Sequence, residues 1–114
     1  MRTRILTASA AAVSTVAVIA VLAVPGSDAA ATKTVEVDDF HFSPASVTVK
    51  RNTTVKWIWV GKAEHDVEVV KGPKDFHSKV MTTGSYTKKF TKKGTYRIDC
   101  SIHSSIMKMV VKVK

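Results

Sequence analysis

The chain has 114 residues, which is room for one domain, and it carries a net charge of +9. In a cytoplasmic protein this charge would suggest nucleic acid as a partner. The lysines are scattered along the chain, however, and the N-terminal residues predict export, so we exclude a nucleic-acid partner. Cys100 is the only cysteine, which excludes an internal disulfide.

Residues 1–31 have the three parts of an export signal. Two arginines precede an uncharged run from 5 to 24, and small residues follow the break at Pro25-Gly26. The run is longer than is usual for a signal peptide and close to the roughly 20 residues that span a bilayer. Both a cleaved signal peptide and an uncleaved N-terminal anchor therefore stay open. Either one predicts that residues 32–114 form an extracytoplasmic domain, which is periplasmic, secreted or attached to the outer face of the membrane.

The rest of the chain alternates between apolar and polar side chains, which is typical of short, half-buried strands. Trp57 and Trp59 share one strand face and are expected in the core, whereas Asp38 and Asp39 are expected in a turn. No segment has a helical period. The pattern predicts an all-β sandwich of seven to eight strands, with seven of them at 34–37, 46–49, 54–59, 66–69, 85–90, 95–100 and 110–113.

The period of two also predicts the directions of two side chains. Cys100 shares a strand face with Tyr96 and Ile98, and His65 shares one with Val67. Because the apolar face is the buried one, we expect Cys100 and His65 to enter the interior from strand ends, at one pole of the sandwich.

The tail places a thiolate, an imidazole and a thioether in one short loop, Cys100-Ser-Ile-His103-Ser-Ser-Ile-Met107. A lone cysteine in an exported chain forms an intermolecular bridge, is a reactive thiol or binds a metal. With His65 upstream, the set is two histidines, one cysteine and a weak axial methionine, which is typical of blue-copper electron-transfer sites. His41 and His77 have no such neighbours and are expected at the surface.

Four motifs resemble the cupredoxins, nearest to the plastocyanin, pseudoazurin and amicyanin group: Phe40-x-Phe42-x-Pro44, His65-x-Val67, Gly94-x-Tyr96-x-x-x-Cys100-x-x-His103 and Val111-x-Val113. The resemblance implies a monomeric Greek-key β-sandwich with one type 1 copper ion at one end. It also implies that the copper cycles between Cu(I) and Cu(II) to shuttle electrons between larger redox partners. The ligands it implies are His65, Cys100, His103 and Met107.

The chain departs from the family pattern at three places. Three residues separate His103 from Met107, where the family mostly has two or four, and Met109 stands where a glycine is common. Met109 is therefore an alternative axial ligand, although the alignment of the closing strand favours Met107. Asp66 follows His65, at a position where the family often has an asparagine that contacts the cysteine loop.

Two other functions compete with electron transfer. An extracytoplasmic copper storage or delivery protein would use the same ligands, but such proteins more often have Met- and His-rich tracts. An enzyme would use Cys100 as a nucleophile, but the small domain leaves little room for a substrate cleft, and we predict that it is not an enzyme. The resemblance implies redox proteins as partners, which dock on an apolar patch beside the second histidine; Ile102, Ile106 and Met81 are the candidates for that patch here. The basic surface has two interpretations, which both stay open: it keeps the protein soluble, or it steers the protein toward an acidic partner or an anionic membrane face.

Overall fold

The computed structural model describes residues 31–114, so the signal peptide or anchor expected before them lies outside the described residues. These residues form strands and one short 3-10 helix, Ser101–His103. Among them, no helix is long and apolar enough to span a bilayer. The strands are β1 (Thr32–Asp38), β2 (His41–Ser43), β3 (Ser46–Val49), β4 (Thr53–Trp59), β5 (Glu68–Lys71), β6 (Gly84–Phe90), β7 (Gly94–Asp99) and β8 (Lys108–Val113).

The eight strands form two four-stranded sheets. One sheet has the order β2-β1-β4-β6 and the other has the order β3-β8-β7-β5. Both sheets are mixed, because β1 pairs with β4 and β3 pairs with β8 in parallel, whereas the other pairs are antiparallel. The inner faces of the two sheets share one apolar core. The predicted all-β sandwich is confirmed.

The alternation of side chains explains how the core forms. In β4 every second residue is buried, and this set includes Val55, Trp57 and Trp59. The opposite sheet contributes Tyr96 and Ile98 from β7 in the same way. Each large apolar side chain buried in this manner stabilises the fold by about 1.5–3 kcal/mol. The two tryptophans therefore lie in the core, as predicted.

The strand directions define two poles of the sandwich. Strands β1, β4 and β7 end at one pole, at Asp38, Trp59 and Asp99, and β6 and β8 begin there. We call this end the site pole. The opposite end, which we call the distal pole, contains the turns 50–52 and 91–93 and the end of β8.

Two strands differ from the prediction. Strand β2 was not predicted, because three residues are too few to show an alternating pattern. The strand predicted at 66–69 lies at Glu68–Lys71, and its register is irregular between Val69 and Lys71. His65 precedes it and forms an isolated bridge with Met81 instead. This bridge fixes the backbone of His65 at the site pole.

Candidate metal centre

Three side chains that the sequence predicts as metal ligands meet at the site pole. The Nδ1 atoms of His65 and His103 are 3.3 Å apart. The Sγ atom of Cys100 lies 3.8 Å from Nδ1 of His65 and 3.5 Å from Nδ1 of His103. His65 and Cys100 are fully buried and His103 is partly buried. Within residues 31–114, this is the group of histidine, cysteine and acidic side chains that could hold a metal ion.

The size of this triangle fits a transition-metal ion. The point equidistant from the two nitrogens and the sulfur is about 2.1 Å from each of them. For comparison, zinc in proteins binds imidazole nitrogen at about 2.0–2.1 Å and thiolate sulfur at about 2.3 Å. A trigonal set of two imidazoles and one thiolate is the donor set of type 1 copper. The residues present therefore fit a copper ion in both geometry and chemistry.

Asp39 orients the imidazole of His65. Its Oδ1 atom lies 3.1 Å from Nε2 of His65, and it also accepts the backbone N–H groups of Lys62 and Ala63, each at 2.9 Å. The hydrogen bond from Ala63 and then that from His65 hold the pKa of Asp39 below its usual value, so the carboxylate stays ionised. When the Nε2–H group donates a hydrogen bond to this carboxylate, Nδ1 keeps a lone pair directed at Cys100 and His103.

The backbone of His65 is held as firmly as its ring. Its carbonyl accepts the indole N–H of Trp59 at 3.0 Å, inside the core. Its N–H donates to the carbonyl of Met81 at 3.0 Å, and the N–H of Met81 donates to the carbonyl of His65 at 2.9 Å. The position of this candidate ligand is thus set by the packed sandwich.

The loop from Cys100 to Met107 is closed by its own backbone. The N–H of Cys100 donates to the carbonyl of Met107 at 3.0 Å, and the N–H of Met107 donates to the carbonyl of His103 at 2.9 Å. The buried carboxylate of Asp66 accepts both the N–H and the hydroxyl of Ser101, each at 2.6 Å. Asp66 therefore makes the contact with the cysteine loop that the family pattern implied for this position.

The two candidate axial methionines have different surroundings. In the ladder between β7 and β8, Ile98 pairs with Met109, and the next inward-facing pair toward the site pole is Cys100 with Met107. Both Cys100 and Met107 are fully buried. The Sδ atom of Met109 accepts the indole N–H of Trp57 at 3.2 Å. Met107 therefore lies beside the cysteine, whereas the sulfur of Met109 is engaged in the core.

Phe40 packs against both histidine rings, with its ring centroid 4.9 Å from that of His103 and 6.0 Å from that of His65, edge to face in each case. Its backbone has a φ of 68°, which is unfavourable for an aromatic residue. The turn after β1 thus places the carboxylate of Asp39 against Nε2 of His65 and the ring of Phe40 against both histidine rings.

The site pole also exposes an apolar patch around His103. The imidazole ring of His103 is only partly buried, although its Nδ1 atom lies beside Cys100. Of the six large apolar side chains that are exposed among the described residues, five lie at this pole: Phe40, Val60, Val80, Ile102 and Ile106. Met81, which was predicted in the patch, is partly buried against the core.

Most of the sequence-based placements hold. His41 and His77 are exposed and outside the cluster, as predicted. The contact of Asp39 with His65 and the packing of Phe40 were missed. Asp39 was interpreted as a turn residue, which it also is, and nothing in the local sequence pairs it with a histidine 26 positions later.

Comparisons with known proteins agree with this site. A family model described as copper binding proteins, plastocyanin/azurin family, matches residues 29–114. A search of curated proteins found no significant match.

Several solved structures are similar to this chain. A substituted amicyanin in the oxidised state aligns with a TM-score of 0.66 and 25% identity, over 73% of this chain and 82% of that one. Another amicyanin variant, in the reduced Cu(I) form at pH 4, has a TM-score of 0.65 and 27% identity, over 77% and 85% of the two chains. A copper-containing nitrite reductase from Thermus scotoductus SA-01 aligns at 0.65 with 29% identity, over 73% of this chain but 22% of that one.

Proposed function

Because this chain belongs to the plastocyanin/azurin family of copper-binding proteins, we propose that it is a cupredoxin that carries single electrons between larger redox proteins and is not an enzyme. The observation that supports this most strongly is the buried triangle of His65, Cys100 and His103. In this proposal Met107 is the weak axial ligand. When bound, copper supplies the one-electron exchange between Cu(I) and Cu(II).

The protein's own contribution is to hold the ligands still. Cu(II) prefers tetragonal nitrogen and oxygen ligands, whereas Cu(I) accepts softer and trigonal ones, and a trigonal set with a loose thioether serves both. Asp39 holds the ring of His65, Asp66 holds the loop after Cys100, and the loop hydrogen bonds hold His103. Little then needs to move when an electron arrives or leaves.

The apolar patch at the site pole is the proposed docking surface for redox partners. The patch includes the neighbours of His103, whose ring is only partly buried and has its Nδ1 atom beside Cys100. Exposed apolar side chains that cluster in this way commonly mark contact surfaces between proteins. An electron leaving through the ring of His103 would cross one imidazole only.

A lysine placed on the patch tests this docking surface. Ile106→Lys should slow electron self-exchange between oxidised and reduced copies by about tenfold or more, because two like charges would face each other at the contact. Self-exchange can be measured from NMR line broadening and needs no identified partner. Val70→Lys is the matched control, since Val70 has a similar exposed fraction, 54% against 63%, but lies on β5. Equal rates in the two variants would contradict docking at the patch.

Copper storage or delivery is the alternative, and the burial of the site favours electron transfer over it. A delivery protein must release its metal readily, whereas His65 and Cys100 are both fully buried here. We expect one copper per chain, a reversible one-electron titration and slow loss of copper to a chelator in both oxidation states. Rapid release to the chelator upon reduction would support delivery instead.

We propose that the domain works outside the cytoplasm, as the basic and apolar composition of residues 1–31 predicts. Fractionation of the producing cell tests this location. Mass spectrometry of the recovered protein would show whether the signal has been removed.

A further inference from the structure

Several basic side chains of the domain lie together at the distal pole. The N–H of Arg51 donates to the carbonyl of Lys114 at 2.9 Å, and the N–H of Asn52 donates to the carbonyl of Phe90 at 2.6 Å. These contacts join the turn 50–52 to the end of β8 and to the turn 91–93. Five exposed basic side chains thereby share one end of the molecule: Lys50, Arg51, Lys92, Lys93 and Lys112.

Acidic side chains do not offset this charge. The segments 46–59, 86–98 and 108–114, which contain the turn 50–52, the turn 91–93 and the strands that lead to them, contain no Asp or Glu. Among the described residues, the carboxylates that contact a lysine or an imidazole lie toward the site pole, in the pairs His41–Asp38, His65–Asp39 and Lys108–Asp99. The distal pole is therefore a concentrated, unneutralised positive surface.

A recess beside this pole continues the basic surface. It has a volume of about 210 Å³, and its lining includes Lys74, Lys88 and Lys89 together with the rings of Phe76 and Phe90. The Nζ atom of Lys88 lies 5.5 Å from the centroid of Phe76. Lysine ammonium groups beside aromatic rings can bind the phosphate group of a molecule that also has an apolar part.

The polypeptide enters the domain at this same pole. The N–H of Thr54 donates to the carbonyl of Ala31 at 3.0 Å, and Thr32 pairs with Thr54 at the start of β4. In the sequence, the uncharged apolar run 5–24 ends only seven residues before Thr32. Seven residues reach at most about 25 Å, so a retained anchor would keep the distal pole close to the bilayer that holds it.

We propose that the distal pole binds the anionic headgroups of a lipid bilayer and turns the site pole outward, toward soluble redox partners. The lipid contact uses residues separate from the copper ligands and is tested independently of electron transfer, whereas the orientation toward redox partners rests on the proposed function. Lysines and arginines near a membrane each strengthen attachment to anionic lipid, and the effect decays within a Debye length, about 8 Å at physiological salt.

The composition of the pole favours a lipid surface over an acidic protein. Contact surfaces between proteins usually have an apolar or aromatic centre within a polar rim. The large exposed apolar side chains of the described residues all lie away from the distal pole, and five of the six lie at the site pole. A layer of phosphates needs no exposed apolar counterpart and matches a pole whose exposed side chains are mainly basic, since Phe76 and Phe90 in the adjoining recess are partly or fully buried.

The test uses the full chain in vesicles of phosphatidylcholine, with and without about one third phosphatidylglycerol. A water-soluble amine reagent modifies exposed lysines, and mass spectrometry measures the rate at each of them. We expect Lys50, Lys92, Lys93 and Lys112 to react about fivefold more slowly on the anionic vesicles, and 1 M NaCl to remove the protection. Lys62, at the site pole, should react at the same rate on both.

Two variants sharpen the test. Lys92→Gln combined with Lys93→Gln should reduce the protection of Lys50 and Lys112, whereas Lys62→Gln should leave it intact, because Lys62 lies at the other end. Equal labelling of the distal lysines on both vesicle types would overturn the proposal. So would protection by soluble polyglutamate but not by anionic vesicles, which would assign the pole to an acidic protein.

Discussion

Replacing Asp39 by asparagine is expected to weaken copper binding although the residue touches no metal. Its carboxylate faces Nε2 of His65 at 3.1 Å and accepts two backbone N–H groups from residues 62 and 63. The asparagine oxygen can still accept these bonds, but it lacks the negative charge that strengthens them and that raises the basicity of the imidazole.

The expected loss is about tenfold in affinity, or about 1.4 kcal/mol. Residues that hydrogen-bond to a metal ligand commonly contribute about 10- to 100-fold to metal affinity. Because Asp39→Asn retains an oxygen that accepts these hydrogen bonds, the expected loss lies near the lower limit. The loss should be larger for Cu(II) than for Cu(I), because a nearby carboxylate stabilises the more highly charged ion. The reduction potential should therefore rise, by about 59 mV for each tenfold difference between the two affinities.

Competition with chelators selective for each oxidation state measures the two affinities, and the melting of the metal-free protein monitors the fold. Asp75→Asn is the matched control, since Asp75 is an exposed aspartate outside the site and the change in net charge is the same. If Asp39→Asn binds copper as tightly as Asp75→Asn at an unchanged potential, then the contact between Asp39 and His65 does not tune the site.

Three further predictions follow from the geometry. Met107→Gln should lower the reduction potential, because an amide oxygen is a harder donor and favours Cu(II), whereas Met109→Gln should leave the potential nearly unchanged and lower the melting temperature. If voltammetry shows that the potential changes in Met109→Gln and not in Met107→Gln, then Met109 is the axial ligand. Copper at about 100 times its Kd should raise the melting temperature by roughly 10–20 °C in scanning calorimetry, and Cys100→Ser should remove this shift. Equal melting temperatures with and without copper in the unsubstituted protein would contradict metal binding to the folded state. Asp66→Ala should destabilise the metal-free protein by about 1–3 kcal/mol in urea titrations, since two hydrogen bonds from Ser101 lose their acceptor; an unchanged midpoint would show that this loop is held by other contacts.

The fold could be predicted from the sequence because alternation is a local signal. The buried positions of β4 and β7, such as Trp57 and Ile98, follow directly from a period of two. Strand β2 lacks this signal at three residues, and His65 pairs with Met81 instead of extending β5. Such pairings depend on residues far apart in the sequence, and a local pattern does not encode them.

The candidate ligands could be predicted because three of them lie in one short loop. Cys100, His103 and Met107 identify a site by their spacing, and His65 follows from its strand face. Asp39 could not be found in this way, because its contact with His65 exists only when the end of β1 reaches the site pole. The alignment of the closing strand favours Met107 over Met109, and the hydrogen bond from Trp57 to Met109 is a further contact that the sequence does not encode.

The visible spectrum of the copper-loaded protein tests the central claim most directly. A thiolate bound to Cu(II) in a trigonal site with two imidazoles should give an intense charge-transfer band in the orange-red, at one copper per chain, and the protein should be blue. Cys100→Ser should lose this band, because a neutral hydroxyl is not a soft anionic ligand. A copper-loaded protein without the band, or a Cys100→Ser variant that keeps it, would contradict a type 1 site built on Cys100.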